Sequence, residues 1–389
     1  MPKLKAAVIG AGSTYTPELI EGFINFKETL PFSEFSLMDT DPKRLDIVGN
    51  LAKRQLNMGG NNCTVTLTDS LDQTLDGADF VFGQIRVGKM QARILDEKIP
   101  LKYGYVGQET TGAGGFMKAL RTIPVMMDIA ERMKRLSETG AWLINFTNPS
   151  GIIAEALLNY TDINMLGLCN CPINMLKDIN NTRDYEYIGL NHLSWITSQE
   201  PYHASYYLEY YENHAEKLQN CINAEKTRGE VCLEIEDKLF KQFADKELCV
   251  KPPELMERGG AMYSTAAVSA VASIYNDKGE IHVINTKNKG AVPFMDDDDV
   301  VEIKCRLGKN FVTPQPVSKY NDSIINLMKQ VKKYEKLTVQ AAIEGSRDKA
   351  LAALIANPLI DNPEKAALLL NELLEANRKY IPKFFGGVK

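Results

Sequence analysis

Short apolar runs alternate with longer amphipathic segments through the first part of the chain. Residues 4–9 are an apolar run followed by a glycine, which is typical of a strand buried on both faces of a parallel sheet. Similar runs predict strands at residues 34–38, 64–68, 79–83 and 142–146, with helical segments between several of them. This alternation predicts an N-terminal α/β domain with a doubly wound sheet.

Beyond residue 169 the pattern becomes mixed. It predicts a strand at residues 281–285, long helices at 324–344 and 364–380, and a helix in the tyrosine-rich segment 202–211. Four aspartates at residues 296–299 cannot all face one ion, so they predict a solvated turn rather than a calcium site. A length of 389 residues favours two domains. We expect a dinucleotide-binding domain at 1–170 and a catalytic, substrate-binding and oligomerisation domain at 171–389.

Composition narrows the classes of partner. The chain is 44% hydrophobic and 24% charged, and 45 basic against 50 acidic residues give a net charge of −5. This balance provides no basic field for nucleic acid or an anionic membrane. Seven cysteines form no regular framework, and no apolar run approaches the roughly 18 residues that span a bilayer. We therefore expect reduced thiols and a cytoplasmic protein that binds neither nucleic acid nor membrane.

The first strand leads into a candidate cofactor turn. Gly10 and Gly12 lie between a strand and a helix, where such glycines allow a backbone to approach a pyrophosphate. Tyr15 occupies the position of the usual third glycine, so a purely structural turn stays open. Asp39 ends the second strand, where a carboxylate accepts both ribose hydroxyls and repels a 2′-phosphate, although a capping aspartate is the alternative. The turn predicts NAD rather than NADP, with these cofactor-binding candidates: Gly10, Gly12, Ser13, Thr14, Asp39 and Arg86.

Two residues suggest a metal site beside this cofactor. Cys169 and His192 are residue types that suit a borderline divalent transition ion, and two protein ligands would leave positions for substrate or water. Taken alone, Cys169 resembles a buried small hydrophobe and His192 a core histidine. Cys171 is interpreted as a packing residue. The spacing matches no zinc motif, so the residues by themselves leave metal binding open.

Further polar groups follow the ends of the predicted strands. Arg86 and Arg93 come after the fourth strand, and Asn148 follows the fifth. Glu109 lies in a glycine-rich stretch at residues 107–115 that is too polar for a core. Each residue alone fits a structural role. Their shared position at the carboxyl edge of a parallel sheet, where ligands bind in such folds, favours a binding site.

Taken together, these motifs resemble glycoside hydrolase family 4, the NAD- and metal-dependent glycosidases. The resemblance covers nearly the whole chain and rests on the motifs at residues 9–17, 85–89, 107–112, 147–150, 169–172, 189–192 and 258–263. It implies a Rossmann domain followed by a mixed α+β domain of the lactate/malate dehydrogenase type.

The resemblance also implies roles for individual residues. Cys169 and His192 would be the metal ligands, Tyr263 the base, and Glu109 the group that raises the basicity of that tyrosine. Family members oxidise C3 of the sugar with NAD, which acidifies the C2 proton that the tyrosine removes. The aglycone then leaves from C1, water adds, and the C3 ketone is reduced again. Substrate contacts are implied for Arg93, Asn148, Asn170 and Arg258.

The metal motif also divides the family by substrate. Asn170 resembles the 6-phospho-β-glucosidases, whereas 6-phospho-α-glucosidases carry an aspartate there that could protonate the departing oxygen. An amide cannot be a general acid, so the protonating group stays unidentified although Asn170 counts as a catalytic candidate. Bidentate arginine suits a 6-phosphate, with Arg93 favoured over Arg86 and Arg258.

We therefore predict a 6-phospho-β-glucosidase that acts on a phosphorylated disaccharide, such as cellobiose 6-phosphate, or on an aryl 6-phospho-β-glucoside. Its expected cofactors are NAD and Mn²⁺ or another divalent transition metal. A homodimer or homotetramer is implied by the resemblance. The alternatives are a 6-phospho-α-glucosidase or other glycosidase of the family, and an NAD-dependent hydroxy-acid dehydrogenase. A non-catalytic protein that senses NAD is a third alternative.

Overall fold

A parallel sheet organises the first part of the chain, and antiparallel strands from the second part extend it. The computed structural model describes residues 4–179, 185–198, 200–258 and 263–387. Within these ranges the strands are β1 (Leu4–Ile9), β2 (Phe32–Met38), β3 (Thr64–Thr68), β4 (Phe80–Gly83), β5 (Trp142–Asn145), β6 (Asn164–Gly167), β7 (Tyr187–Leu190), β8 (Leu193–Ile196), β9 (His203–Ala204), β10 (Glu280–Lys287), β11 (Val300–Gly308) and β12 (Phe311–Pro314).

Helices connect most of these strands and form much of the second part of the chain. In chain order, the α-helices of the described ranges are α1 (Thr16–Asn25), α2 (Pro42–Met58), α3 (Leu71–Leu75), α4 (Lys89–Leu101), α5 (Gly112–Leu136), α6 (Ser150–Tyr160), α7 (Cys171–Asp178), α8 (Glu209–Glu212), α9 (His214–Asn223), α10 (Arg228–Phe243), α11 (Tyr263–Tyr275), α12 (Asp322–Glu344), α13 (Arg347–Ala356) and α14 (Pro363–Asn377). None of the described helices combines the length and apolarity needed to cross a bilayer.

The strand order confirms the predicted doubly wound sheet. Strands β3-β2-β1-β4-β5-β6 lie side by side and are parallel, which is the order of dinucleotide-binding domains. The antiparallel strands β10, β11 and β12 continue this sheet beyond β6, where Asn285 pairs with Gly167. A separate antiparallel sheet contains β7, β8 and β9. The carboxyl ends of the parallel strands therefore share one edge, to which the second part of the chain adds its own residues.

Aromatic side chains fill the space between the parallel sheet and α1. Phe23 of α1 lies 5.0 Å from Phe82 and 5.1 Å from Phe35, measured between ring centroids. All three rings are buried. Each buried aromatic side chain stabilises the fold by roughly 1.5–3 kcal/mol, and edge-to-face pairs add to this. This packing holds the loop between β1 and α1 in place at the edge of the sheet.

One local prediction for the second part of the chain was wrong, and the predicted solvated turn at 296–299 was confirmed except for one buried side chain. Segment 202–211 is not one helix, because residues 203–204 pair as β9 with β8 before a 3₁₀ turn (Tyr206–Leu208) and α8. Ser205 fixes this path by donating its hydroxyl to the His192 carbonyl at 2.9 Å. In segment 296–299 three aspartates are exposed, but Asp299 is buried and accepts a hydrogen bond from Lys336 at 2.8 Å.

Candidate active site

One large cavity runs along the carboxyl edge of the parallel sheet. Its volume is about 1310 Å³, which falls slightly above the usual range for sites that hold small ligands. Residues that follow each of the six parallel strands line it, together with His192 of the turn between β7 and β8. The predicted site residues on its wall are Gly10, Gly12, Ser13, Asp39, Arg86, Arg93, Glu109, Asn148, Asn170, His192 and Arg258.

The turn after β1 has the geometry of a dinucleotide site. Gly10 has a φ of +87°, and a Cβ atom there would lie 2.7 Å from the carbonyl oxygen of Gln84. A Cβ atom on Gly12 would lie 2.8 Å from the Asp39 carboxylate. That carboxylate accepts hydrogen bonds from the backbone of Gly12 and Asp41, both at 2.9 Å. Only glycine fits both positions, because each packs closely against neighbouring protein atoms. Gly10, Gly12 and Asp39 all line the cavity, as the predicted cofactor site requires.

Of the other residues in this turn, Ser13 and Tyr15 line the cavity and Thr14 does not. Ser13 lines the cavity and its hydroxyl accepts a hydrogen bond from the Tyr15 backbone at 3.2 Å. Tyr15, which replaces the usual third glycine, also lines the cavity and donates to the Arg258 carbonyl at 3.4 Å. Thr14 is fully buried and is absent from the described wall of the cavity. The predicted role of Thr14 in cofactor binding stays a prediction.

The turn between β7 and β8 presents His192 to the cavity. Its Nδ1 lies 2.6 Å from the Thr110 hydroxyl, which leaves Nε2 as the nitrogen for a metal ligand bond. Its φ of +70° is unusual for a residue with a side chain and indicates a local conformational cost of roughly 1–3 kcal/mol. Burial lowers the pKa of His192 to about 4, so the ring is neutral near pH 7, as ligation requires.

Cys169 lies behind Asn170, which is on the cavity wall. The Cys169 Sγ accepts a hydrogen bond from the Cys171 backbone at 3.4 Å and lies 4.0 Å from the Asn170 amide oxygen. A backbone donor of this kind favours the thiolate that a metal needs. Cys171 instead directs its sulfur to Met175 at 3.8 Å, which agrees with its interpretation as a packing residue.

A tyrosine that the sequence did not single out connects these two residues. The Tyr207 ring stacks on His192, with centroids 4.1 Å apart and planes 4° apart. Tyr207 also packs against the apolar cluster that contains Cys169. Among the described residues no group of three or more His, Cys, Asp or Glu side chains could hold a metal. The thiol and imidazole donors nevertheless fit an open transition-metal site that substrate or water would complete.

Glu109 is surrounded by three cations at the centre of the cavity. It pairs with Arg86, with Arg93 at 2.8 Å and with Lys118 at 2.6 Å. Burial raises the pKa of Glu109, but the charges of the three cations outweigh burial and hold this pKa well below its usual value. Arg93 also pairs with Glu97 at 2.8 Å. Glu109 is therefore ionised near neutral pH and fixed in position.

The remaining predicted substrate contacts lie around this cluster. Arg258 is buried and pairs with Glu236 at 2.8 Å. The side-chain oxygen of Asn148 is buried and has no hydrogen-bond partner among the described residues, although Asn148 lines the cavity. Burying an amide oxygen without a hydrogen-bond partner costs free energy. A ligand hydroxyl that donates a hydrogen bond to Asn148 would remove this cost. Tyr263 is the first residue of α11, but its side chain lies outside the described residues.

Sequence reasoning missed several cavity residues, namely Arg44, Thr110, Lys118, Tyr207, Arg228 and Glu236. Lys118 is nine residues from Glu109, a spacing that matches no motif. Arg44 and Glu236 are 192 residues apart in the chain yet lie 3.4 Å apart. The tyrosine-rich run at 206–211 stands out in the sequence, but the helix predicted there did not indicate that Tyr207 would contact His192.

Comparison of the whole structure defines the class. The chain aligns with malate dehydrogenase from Plasmodium falciparum at a TM-score of 0.52 and 13% identity, over 90% of this chain and 99% of the other. This likeness shows the fold alone and confirms the predicted Rossmann domain with a dehydrogenase-like second part. The class is thus an α/β protein with a dinucleotide-binding fold and a cavity at the sheet edge.

Comparison of the sequence then identifies the family. The model described as "Family 4 glycosyl hydrolase" matches residues 5–184, and that described as "Family 4 glycosyl hydrolase C-terminal domain" matches residues 199–360. The chain belongs to glycosyl hydrolase family 4. This confirms the resemblance inferred from the motifs.

Individual relatives match over their whole lengths. A probable 6-phospho-beta-glucosidase of Bacillus subtilis is 38% identical over 99% of both chains. A 6-phospho-beta-glucosidase of Escherichia coli is 36% identical over 98% of this chain and 97% of its own. The Thermotoga maritima 6-phospho-beta glucosidase, solved with manganese, NAD⁺ and glucose-6-phosphate, has a TM-score of 0.91 and 34% identity, over 97% of this chain and 99% of the other.

Proposed function

We propose that this chain hydrolyses 6-phospho-β-glucosides in a reaction that requires NAD and a divalent metal. The substrate is a phosphorylated disaccharide such as cellobiose 6-phosphate or an aryl 6-phospho-β-glucoside. One observation carries the proposal: the glycine turn after β1, His192 and the cations around Glu109 line a single cavity, with Cys169 next to Asn170 of its wall. The names of the full-length relatives support the same substrate class.

Residues of this chain divide the work of binding. Gly10, Gly12 and Asp39 hold NAD, while Cys169 and His192 hold Mn²⁺ or another divalent ion. When bound, NAD supplies reversible hydride transfer at C3 of the sugar, and the metal supplies polarisation of the neighbouring sugar oxygens. The neutral His192 ring is ready for ligation near pH 7 because burial lowers its pKa to about 4.

Tyr263 removes the proton from C2 in this proposal. A tyrosine is a base at neutral pH only when nearby positive charge lowers its pKa from about 10. Glu109 raises the basicity of Tyr263. It also forms ion pairs with Arg86, Arg93 and Lys118. The cluster therefore fixes the negative charge of Glu109 beside two arginines, while burial lowers the pKa of Lys118 to about 7, so this lysine is only partly charged near neutral pH.

Asn148 and Asn170 orient the sugar. Both line the cavity, and the buried side-chain oxygen of Asn148 has no partner within the described ranges. Because the Asn170 amide cannot donate a proton as a general acid, it supports β- rather than α-glycosides as substrates.

We also propose the larger organisation that the sequence predicts. The dinucleotide-binding domain comprises residues 1–170, and residues 171–389 form the catalytic and oligomerisation domain of a cytoplasmic homodimer or homotetramer. The separate family models for residues 5–184 and 199–360 support two units. Size-exclusion chromatography with light scattering tests the oligomeric state, and a monomeric mass would contradict this part of the proposal.

The function is tested by release of p-nitrophenol from p-nitrophenyl 6-phospho-β-glucoside and from its α anomer. Each is assayed under reducing conditions with and without NAD and Mn²⁺. We expect release from the β anomer alone, dependent on both additions and without net NADH. Release only from the α anomer would contradict the role of Asn170, and net NADH without release would indicate a dehydrogenase.

A matched pair of cysteine variants tests the metal ligand. Cys169→Ser should abolish the Mn²⁺-dependent activity, whereas Cys171→Ala should retain most of it because the Cys171 sulfur contacts Met175. Equal loss in both variants would argue against a specific role of Cys169.

A further inference from the structure

Seven lysine and arginine side chains line the described wall of the cavity, and six of them are paired with carboxylates. Arg44 and Arg258 pair with Glu236, Lys89 pairs with Asp41, and the cluster around Glu109 contains Arg86, Arg93 and Lys118. The seventh is Arg228, which is exposed and has no carboxylate partner among the described residues. Its charge is therefore available to a ligand.

The Arg228 guanidinium is nevertheless anchored. Its Nη2 donates a hydrogen bond to the carbonyl oxygen of Glu257 at 2.8 Å. This bond restrains the planar group and leaves its other N–H donors without partners within the described ranges. A planar guanidinium held in this way can form two parallel hydrogen bonds to a phosphate, which a lysine cannot reproduce.

The start of α10, where Arg228 is the first residue, contacts Arg93 and Arg258, two of the three arginines that the sequence proposed for phosphate. The next residue, Gly229, donates its backbone N–H at 2.6 Å to Glu97, the partner of Arg93. One turn further along α10, the Cys232 sulfur lies 3.7 Å from the Arg93 guanidinium and 3.9 Å from the Arg258 carbonyl oxygen. The first turn of α10 therefore holds Arg228 near Arg93 and Arg258, both of which are paired with carboxylates.

The paired arginines are less suited to be the principal phosphate ligand. Arg93 is buried and already bonds Glu97 and Glu109, and Arg258 is buried and bonds Glu236. Binding a phosphate at Arg93 would require it to share donors with buried carboxylates. The Nε of Arg258 is buried without a hydrogen-bond partner in the described structure, but Glu236 already holds its Nη2. Arg228 lines the cavity and needs no such exchange, because it has no carboxylate partner in the described structure.

We propose that Arg228 binds the 6-phosphate of the substrate and thereby selects phosphorylated over neutral glucosides. This inference rests on the proposed function. Arg93 and Arg258 then contribute the surrounding positive field, while their hydrogen bonds to carboxylates keep their positions fixed.

Isothermal titration calorimetry of the protein with NAD and Mn²⁺ tests this role, with glucose 6-phosphate and with inorganic phosphate as probes. Removing a charge-assisted hydrogen bond should raise the Kd of Arg228→Ala for glucose 6-phosphate roughly 10- to 100-fold. Arg228→Lys keeps the positive charge but loses the planar guanidinium that can form two parallel hydrogen bonds. Its Kd should therefore be intermediate. Lys226→Ala is the matched control, since Lys226 is two residues away, pairs with Glu234 at 2.5 Å and is not on the described cavity wall.

Steady-state kinetics supply the second readout. For p-nitrophenyl 6-phospho-β-glucoside, Arg228→Ala should raise KM by a factor similar to the rise in Kd, with kcat reduced far less. Unchanged Kd and KM in Arg228→Ala would overturn the inference while leaving the proposed function intact. Equal weakening in Lys226→Ala would overturn it as well. If the unmodified protein prefers the unphosphorylated aryl glucoside, both the inference and the proposed function fail.

Discussion

Two buried ionic clusters contrast within this molecule. At the cavity, Glu109 is one carboxylate among three cations, Arg86, Arg93 and Lys118. Away from the large cavity, Lys332 of α12 is one cation between two carboxylates. It pairs with Glu155 of α6 at 2.8 Å and with Glu335 at 2.5 Å, and all three side chains are buried. The first cluster contains three basic groups, although burial lowers the pKa of Lys118 to about 7 and Glu97 supplies Arg93 with a second carboxylate. The second cluster contains one basic group and two carboxylates.

The difference follows from what else can neutralise each cluster. Glu155 accepts hydrogen bonds from the Val300 backbone at 2.9 Å and from Asn159 at 2.8 Å, and burial raises the pKa of Glu335. The Lys332 cluster is thus completed by the protein itself. The Glu109 cluster faces the cavity, where an anionic ligand can balance its cations. We infer that the first cluster serves binding and chemistry, and the second serves stability.

The largest expected effect comes from Glu109→Gln. This change keeps the size of the side chain but removes the charge that holds three cations and, in the proposed function, raises the basicity of the base. We expect kcat/KM for p-nitrophenyl 6-phospho-β-glucoside to fall roughly 10²- to 10⁴-fold. Its control is Glu155→Gln in the other cluster, for which kcat/KM of the folded protein should be nearly unchanged. A similar loss of kcat/KM in both variants would contradict the inference that the Glu109 cluster serves binding and chemistry while the Lys332 cluster serves stability.

Lys332→Met should lower the stability of the protein and leave its activity nearly unchanged. It leaves two buried carboxylates without their cation, so the free energy of unfolding should fall by about 3–5 kcal/mol. Urea denaturation measures this change, and kcat/KM of the folded enzyme should stay close to that of the unmodified protein. The triple change Lys332→Met, Glu155→Gln and Glu335→Gln should recover much of the stability. A triple variant as unstable as the single one would contradict this account.

Glu302 adds a third way to neutralise a buried acid, since it has no cation partner in the described structure. Its carboxylate accepts hydrogen bonds from Tyr187 at 2.9 Å, Asn285 at 3.0 Å and Asn191 at 3.1 Å. Burial, opposed by these hydrogen bonds, raises the pKa of Glu302 to about 7. The folded state therefore holds a proton that the unfolded state loses near pH 4.5.

This raised pKa predicts the pH dependence of stability. Between pH 4.5 and 7 the folded state binds more protons, so the contribution of Glu302 to unfolding free energy should fall by about 3 kcal/mol as pH rises. Above pH 7 the contribution should be constant. Urea denaturation at several pH values should show that Glu302→Gln is less sensitive to pH over this window than the unmodified protein. Parallel pH profiles would contradict the assignment.

The smallest expected effect concerns Asp39, whose carboxylate is held by backbone N–H groups. Asp39→Ser should weaken NAD binding roughly 10-fold and narrow the preference for NAD over NADP, because a ribose acceptor and a repulsive charge are both lost. Fluorescence titration with each cofactor measures this. Asp41→Asn is the control, since Asp41 caps α2 and pairs with Lys89. If Asp39→Ser leaves the preference for NAD over NADP unchanged, Asp39 does not contact the ribose.

Local signals in the sequence accounted for much of the fold. Residues 64–68 were predicted as a strand and form β3, and the helix predicted at 324–344 lies within α12. The glycines at 10 and 12 predicted a turn after β1, and in the structure their close contacts leave no room for a side chain. The segment 202–211 was misassigned because its pairing with β8 is a long-range contact that propensity does not encode.

By itself, the sequence determined the alternation of strands and helical segments in the first part of the chain, the glycine turn after β1 and the family, because these depend on periodicity and on short motifs. Only the tertiary structure decided which charges meet. Lys118 reaches Glu109, Tyr207 stacks on His192, and Arg228 is left without a carboxylate among the described residues while its neighbours are paired. Such contacts join residues from different elements, and their free energies depend on burial and distance, which no spacing along the chain specifies.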